Sequence, residues 1–208
     1  MEQYKLSVLI PVWNQEELVL KALDHLPRRD DIEVIVRDDG STDNTLHNLL
    51  EYQWTHPELN LTVTANGENH GMYYTSNRLM EMAHGEYVHM HNSDDYVDTE
   101  KYTKLIDKLD GNIDVLGFDI RINNGCIWRL NESTAHIHCA QVIRFIRRAF
   151  VDGLKWNENM KAASDYYYNE EMMKRNPVTV YSGEVVYIYN FPREGSLVDL
   201  RARGIIGE

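Results

Sequence analysis

The feature that most constrains this chain is the alternation of its first half between short apolar, β-branched runs and stretches of helical spacing. Residues 6–11 (Leu-Ser-Val-Leu-Ile-Pro) and 32–37 (Ile-Glu-Val-Ile-Val-Arg) have the length and composition of buried strands, and residues 59–65 and 87–91 repeat the pattern. Between them, residues 16–26 place Leu18, Leu20, Ala22, Leu23 and Leu26 near helical spacing. A second helix, capped by Thr42 or Asp43, runs through Leu46, Leu49, Leu50 and Tyr52, and a third covers residues 73–84 with Gly85 as its stop. Strands joined by helices imply right-handed crossovers and a largely parallel sheet with helices on both faces. Ligands of such sheets lie beyond the carboxyl ends of the strands. Function is therefore expected in the loops after Pro11, Arg37 and His91.

The second half is less regular. A helix is expected over residues 99–109, strands over 113–122 and 127–130 around the Asn123-Asn124-Gly125 turn, helices over 141–150 and 164–175, and strands over 178–181 and 185–189. With 208 residues and no repeat or linker, the chain suits one α/β domain, with a mostly parallel central sheet and a smaller mixed sheet in its C-terminal half. The 33 acidic against 21 basic side chains give a net charge of −12, which repels phosphate backbones, so no broad nucleic-acid binding is expected. Two cysteines support neither a disulfide framework nor a four-thiolate zinc site. No run approaches the roughly 18–20 apolar residues of a transmembrane helix, and residues 1–14 lack a basic n-region and a small-residue cleavage site, so no signal peptide is expected there. A cytoplasmic chain is expected, with peripheral membrane contact through a partner or a lipid substrate left open.

Carboxylates crowd the three loops. Asp94 and Asp95 follow the fourth strand, where hard cations such as Mg²⁺ or Mn²⁺ take one or two carboxylates together with substrate phosphates; the alternative is a helix-cap region before Thr99. Asp38 and Asp39 end the second strand, suited to a nucleoside imide N–H or ribose hydroxyls, or else to a simple Asp-Asp-Gly-Ser turn. Trp13, after Pro11, offers either a stacking surface for a base or a core indole.

Three ordered blocks together are more specific than any one. Pro11-Val12-Trp13-Asn14, then Arg37-Asp38-Asp39-Gly40-Ser41-Thr42-Asp43-Asn44-Thr45, then Gly85-Glu86-Tyr87-Val88 running into Ser93-Asp94-Asp95, resemble the family-two nucleotide-sugar glycosyltransferases of the GT-A fold. The resemblance implies a donor half (residues 1–97) and an acceptor half (98–208) of a single GT-A domain. It implies that Trp13 lies against the base, that Asp39 binds it (usually uracil) with Asp38 supporting the loop, and that Pro11, Asn14, Asn77 and Asp94 belong to the nucleotide-donor site. Asp95 is implied as the direct ligand of Mn²⁺ or Mg²⁺, with Asp94 nearer the sugar or ribose. Ser76 stands where many members carry an Arg before the Asn, which leaves donor identity open.

The second half resembles the family more weakly. Asp165, in Ala163-Ser164-Asp165-Tyr166-Tyr167, falls where members carry the general base, although Asp165 or Ser164 also suits a helix cap. Arg193, in the closing segment 189–197, is implied as a diphosphate contact, against an ordinary surface arginine. The implied reaction is metal-dependent, inverting transfer of a sugar from a nucleoside diphosphate sugar, with a UDP-sugar favoured, to a hydroxyl of a glycan, a lipid-linked glycan or another acceptor in cell-surface glycan synthesis. The alternatives are a protein or hydroxymethylated DNA base as acceptor, or a binder without turnover. The set His136, His138 and Cys139 lacks a fourth spaced ligand, His89 and His91 read as packed or solvated, and Arg144, Arg147 and Arg148 as a solvated helix face. Tyr166, Tyr167 and Tyr168 with Trp156 are either a sugar-stacking wall or a core edge.

Overall fold

The computed structural model describes residues 4–131, 140–160, 163–191, 193–194, 199 and 203–204. His136, His138, Cys139 and the end of the closing segment lie outside the described residues. The first half follows the alternation in the sequence: β1 (Leu6–Val12), α1 (Leu18–Asp24), β2 (Ile32–Asp38), α2 (Thr45–Thr55), β3 (Leu61–Ala65), α3 (Met72–Met82) and β4 (Tyr87–Met90). Then come β5 (Tyr96–Val97), α4 (Thr99–Asp107), β6 (Val115–Ile122), β7 (Ile127–Trp128), β8 (Arg144–Arg147), α5 (Ser164–Met173) and β9 (Thr179–Tyr189).

These strands make one nine-stranded sheet in the order β3-β2-β1-β4-β8-β6-β9-β5, with β7 paired on β6. The strands β3, β2, β1 and β4 are mutually parallel, β8 runs antiparallel to β4 and β6, and β9 is parallel to β6. Period-two alternation divides the core: Val8, Ile10, Val34 and Val36 pack on one face with α1, α2 and α4, and Leu9 and Ile35 on the other with α3 and α5. Parallel strands buried on both faces need such continuous apolar runs.

Three expectations change. Residues 141–150 do not form a helix: a 3₁₀ turn over Gln141–Ile143 leads into β8 and a second turn over Arg148–Val151. Phe145 is buried in one core layer and Ile146 in the other, an alternation only a strand permits, and the gap between β4 and β6 needs a strand to satisfy its backbone. The two strands expected over 178–189 are one strand, β9, with Gly183 at φ +70° where the register against β6 shifts. Gly85 is not a left-handed helix stop. A Cβ there would lie 2.5 Å from the Ser7 backbone nitrogen, so glycine is required by the close approach of β1.

Candidate active site

The loops after β1, β2 and β4 share one edge of the sheet. The Asp39 N–H donates to the Val12 carbonyl at 2.8 Å and the His91 N–H to Leu9 at 2.9 Å, which fixes the three strand ends side by side. Asn14, at φ +50°, bridges two of the loops: its Oδ1 accepts from the Thr42 N–H at 2.8 Å, and its own N–H donates to Ser41 Oγ at 2.9 Å. Its amide oxygen therefore serves the loop. Pro11 lies in β1 beyond the last residue paired with β4, and Trp13, 45% exposed, presents its indole to solvent at the same edge.

Asp38 and Asp39 divide their work by the pleat. Asp38 accepts the Ser41 N–H at 3.0 Å on Oδ2 and closes the turn, while its buried Oδ1 has no protein partner. Gly40 (φ +70°) completes the turn, and a Cβ there would sit 2.5 Å from the Glu68 carbonyl carbon. On the other side Asp39 is locked: Asn66 Nδ2 (2.7 Å) and the His70 N–H (3.0 Å) reach Oδ1, and the Gly71 N–H (2.8 Å) reaches Oδ2. Asn66 accepts from Arg37 Nε at 2.6 Å and donates to Thr75 Oγ1 at 2.9 Å, so its amide is also fixed. An ionised carboxylate has about four acceptor positions. Three on Asp39 are used, and one remains for a ligand donor.

The two loop carboxylates after β4 differ sharply. Asp95 is fully buried; Tyr187 Oη (2.7 Å) and Asn92 Nδ2 (2.8 Å) donate to its Oδ2, and the Asn190 N–H (2.8 Å) to its Oδ1. It braces the loop against the end of β9. Burial, with the Asp94 charge beside it, pushes its carboxyl up to about 7 against the pull of those hydrogen bonds. Asp94 is the carboxylate that reaches solvent, and it pairs with Arg193 at 2.6 Å with both side chains about one-fifth exposed. Among the described residues no three His, Cys, Asp or Glu side chains cluster as a metal site. The residues present still suit a cation that takes most of its oxygens from phosphates, because Asp94 supplies a hard, accessible carboxylate.

Beneath this loop two histidines are buried and neutral. His89 Nε2 faces the Val142 carbonyl and its Nδ1 faces Tyr102 Oη, so the proton lies on Nε2. His91 Nδ1 faces the Asn92 carbonyl at 2.7 Å, so its proton lies on Nδ1. Burial lowers them to about 3 and about 4. They pack the floor of the loop.

Asp165 lies in the first turn of α5. Neither it nor Ser164 caps the helix: the N-cap residue is Ala163, in the left-handed region at φ +62°, and Ser164 Oγ accepts from the Asn157 N–H at 2.7 Å. The carboxylate of Asp165 instead accepts the Trp156 indole N–H at 3.0 Å. Burial lifts its carboxyl to about 6, with the Trp156 hydrogen bond and the Arg144 charge acting the other way. Arg144 begins β8, which runs antiparallel to β4 and so lies alongside the carboxyl end of β4. Asn77 is not open toward a donor. Its side chain clamps the Trp156 backbone, with Nδ2 to the carbonyl at 2.9 Å and the N–H to Oδ1 at 3.0 Å, and Nδ2 also reaches Glu158 at 2.8 Å.

Sequence reasoning did not single out Asn66, Tyr187 or Glu158, and read Trp156 as part of either a sugar-stacking wall or a core edge. Their roles depend on partners far along the chain, as with Asn77 and Trp156, separated by 79 positions. An Asn directly after β3 is the one local signal among them.

A parallel four-stranded half with acidic loops at its carboxyl edge, continued by a mixed half and a helix that carries a further carboxylate, is the GT-A glycosyltransferase architecture. The profile of glycosyl transferase family 2 matches residues 7–175, and the chain belongs to that family. The poly(ribitol-phosphate) beta-glucosyltransferase of Bacillus spizizenii is 33% identical over 100 residues, covering 46% of this chain and 16% of that protein. The chondroitin synthase of Escherichia coli is 27% identical over 177 residues, covering 77% of this chain and 25% of that protein. The chain thus spans about a sixth to a quarter of the length of these curated relatives. The crystal structure of Staphylococcus aureus TarS 1-349 in complex with UDP-GlcNAc superposes with a TM-score of 0.79 at 25% identity, covering 92% of this chain and 60% of that one. The mannosyltransferase PcManGT from Pyrobaculum calidifontis, in complex with GDP-Man and Mn2+, shares the fold, with a TM-score of 0.72 at 20% identity, over 100% of this chain and 66% of that one. Among the described residues no helix is long and apolar enough to cross a membrane.

Proposed function

We propose that the chain is the catalytic domain of an inverting glycosyltransferase that moves a sugar from a UDP-sugar to an acceptor hydroxyl in cell-surface glycan synthesis. The observation that carries this reading is a bonded path along α3. Asp39 holds the Gly71 N–H at the start of that helix, Asn77 in its middle holds Trp156, and Trp156 holds Asp165. A base-binding carboxylate and a carboxylate suited to proton abstraction are thereby fixed in one frame.

In this reading the free acceptor position of Asp39 takes the uracil imide N–H, and Trp13 covers the base. A TarS complex with UDP-GlcNAc among the neighbours supports uridine as the nucleoside. Asp94, rather than Asp95, would hold the cation, and Asp95 keeps the loop in place. A bound Mn²⁺ or Mg²⁺ would neutralise charge that grows on the departing diphosphate. Arg193 turns from Asp94 to the same phosphates. Asp165 takes the proton of the acceptor hydroxyl as that oxygen attacks the anomeric carbon opposite the leaving UDP. A carboxyl near 6 is ionised at neutral pH yet basic enough for this step. One displacement inverts the centre, so an α-linked donor gives a β-linked product, in keeping with the beta-glucosyltransferase among the relatives.

Incubation with UDP-sugars and Mn²⁺, with and without glycan acceptors, tests the reading through UDP release. Turnover that is lost in Asp39→Ala, Asp94→Asn and Asp165→Asn supports it. Tight UDP binding without release from any donor would instead make the domain a binder.

A further inference from the structure

We propose that Trp156 is a positioning residue for Asp165, and that Asn77 sets the place of its indole by holding its backbone from α3. The inference rests on Asp165 being the base.

The geometry is over-determined around one side chain. Trp156 is nearly fully buried, and its ring stacks on Tyr168 one turn along α5, with centroids 4.2 Å apart and planes 10° apart. The stack fixes the indole plane and aims Nε1–H at Asp165 Oδ1, 3.0 Å away. Asn77 then fixes the backbone from the opposite side through both the N–H and the carbonyl of Trp156. The next residue is tied to the helix start, because the Asn157 N–H donates to Ser164 Oγ at 2.7 Å. The left-handed Ala163, a costly conformation for a residue with a Cβ, marks how tightly the chain is turned to place this helix start.

A neutral donor suits this position. A carboxylate free to rotate spreads its proton-accepting oxygen over several directions, and loss of alignment is costly in proton transfer. A cation in direct contact would orient it too, but would hold the proton affinity too low for a base. An indole N–H fixes Oδ1 and, among the described residues, leaves Oδ2 without a hydrogen bond. The charged group acting on Asp165 is Arg144, on β8, and Arg144 Nη1 donates to Asn169 Oδ1 at 2.6 Å on the next turn of α5. Glu158, the nearest carboxylate on the Trp156 loop, is bonded to Asn77 and Arg78. The contact also gives the donor and acceptor halves a mechanical link, because Asp39 accepts the N–H of Gly71, the residue before α3.

Trp156→Phe keeps an aromatic ring against Tyr168 and removes the N–H together with part of the indole's volume, so the pH limb and the indole resonances are read beside kcat. In the UDP-release assay this variant is expected to lose about tenfold in kcat at pH 8, with KM for the UDP-sugar within twofold of wild type. Its acid limb is expected to move to higher pH, because a hydrogen bond to the ionised form is lost. An unchanged kcat and an unchanged acid limb would overturn the proposal, and a loss confined to KM would do the same. Asp165→Asn is assayed alongside. If Asp165→Asn is inactive while Trp156→Phe is normal, only the positioning role fails; if Asp165→Asn is fully active, the base assignment fails and the proposal with it. A second readout needs no stable Trp156 variant. Of the four indole N–H resonances, one should titrate with a midpoint near 6 in the wild-type protein and stop titrating in Asp165→Asn. Four indole signals that are all flat between pH 5 and 7.5 would refute the contact.

Discussion

The pair between Arg193 and Asp94 makes a quantitative prediction about metal binding. At 2.6 Å, with each side chain about one-fifth exposed, it lies between an exposed ion pair, typically 0.2–1 kcal/mol, and a charge-assisted hydrogen bond, about 1.5–3 kcal/mol. We take about 1–2 kcal/mol. A cation that binds Asp94 without UDP competes with the guanidinium, which holds Oδ2 through both Nε and Nη2, so its affinity is reduced by up to the same amount. Arg193→Met keeps much of the side-chain length and removes the charge. It should raise the affinity for Mn²⁺ alone about 5- to 30-fold, at about 1.4 kcal/mol per tenfold. With UDP present the sign reverses, because the guanidinium then has the diphosphate to hold, and the variant should bind UDP more weakly. Titration calorimetry, with free Mn²⁺ followed independently by electron paramagnetic resonance, measures both. A variant that binds Mn²⁺ alone no better than wild type, or UDP with Mn²⁺ no worse, would refute this account of the pair.

Other consequences are simpler to check. A base must be ionised to act, so with a carboxyl near 6 the rate should be half-maximal at about pH 6 and fall about tenfold for each further pH unit, and this limb should be absent from the residual activity of Asp165→Asn. Asp95→Ala strips the acceptor from the Tyr187, Asn92 and Asn190 donors and should cost about 2 kcal/mol or more, some 4–8 °C in Tm for a chain of this size. Asp94→Asn should leave Tm within a few degrees and remove Mn²⁺ binding. Gly85→Ala drives a Cβ to 2.5 Å from the Ser7 backbone nitrogen and should cost about 1–3 kcal/mol by thermal denaturation.

The parallel half of the sheet was legible because β1, β2 and β4 are buried apolar runs that end near turn residues, so each has one reading, and the edge strand β3 follows in the same alternation. β8 was not. Val142, Ile143, Phe145 and Ile146 fit a helical stripe as well as a strand, and only the open place between β4 and β6 decides for the strand. The acidic loops were visible as motifs, but neighbouring carboxylates were not separable. Asp94 and Asp95 differ because Tyr187 and Asn190, more than ninety positions away, pull one of them inward. Asn77 shows the same limit: its position invites a donor role, yet its partners are on the loop that carries Trp156. Asp39 was readable in kind, and the donors that lock it come from the loop before α3, whose path no local pattern fixes.

The most direct measurement is proton NMR of the protein with UDP-GlcNAc and other UDP-sugars, Mn²⁺ and a hydroxyl-bearing glycan acceptor. The proposed function predicts UDP accumulation together with a new β-anomeric signal, both abolished by chelation and by Asp165→Asn. An α-anomeric product, or no UDP from any donor while UDP itself still binds at the strand ends, would contradict it.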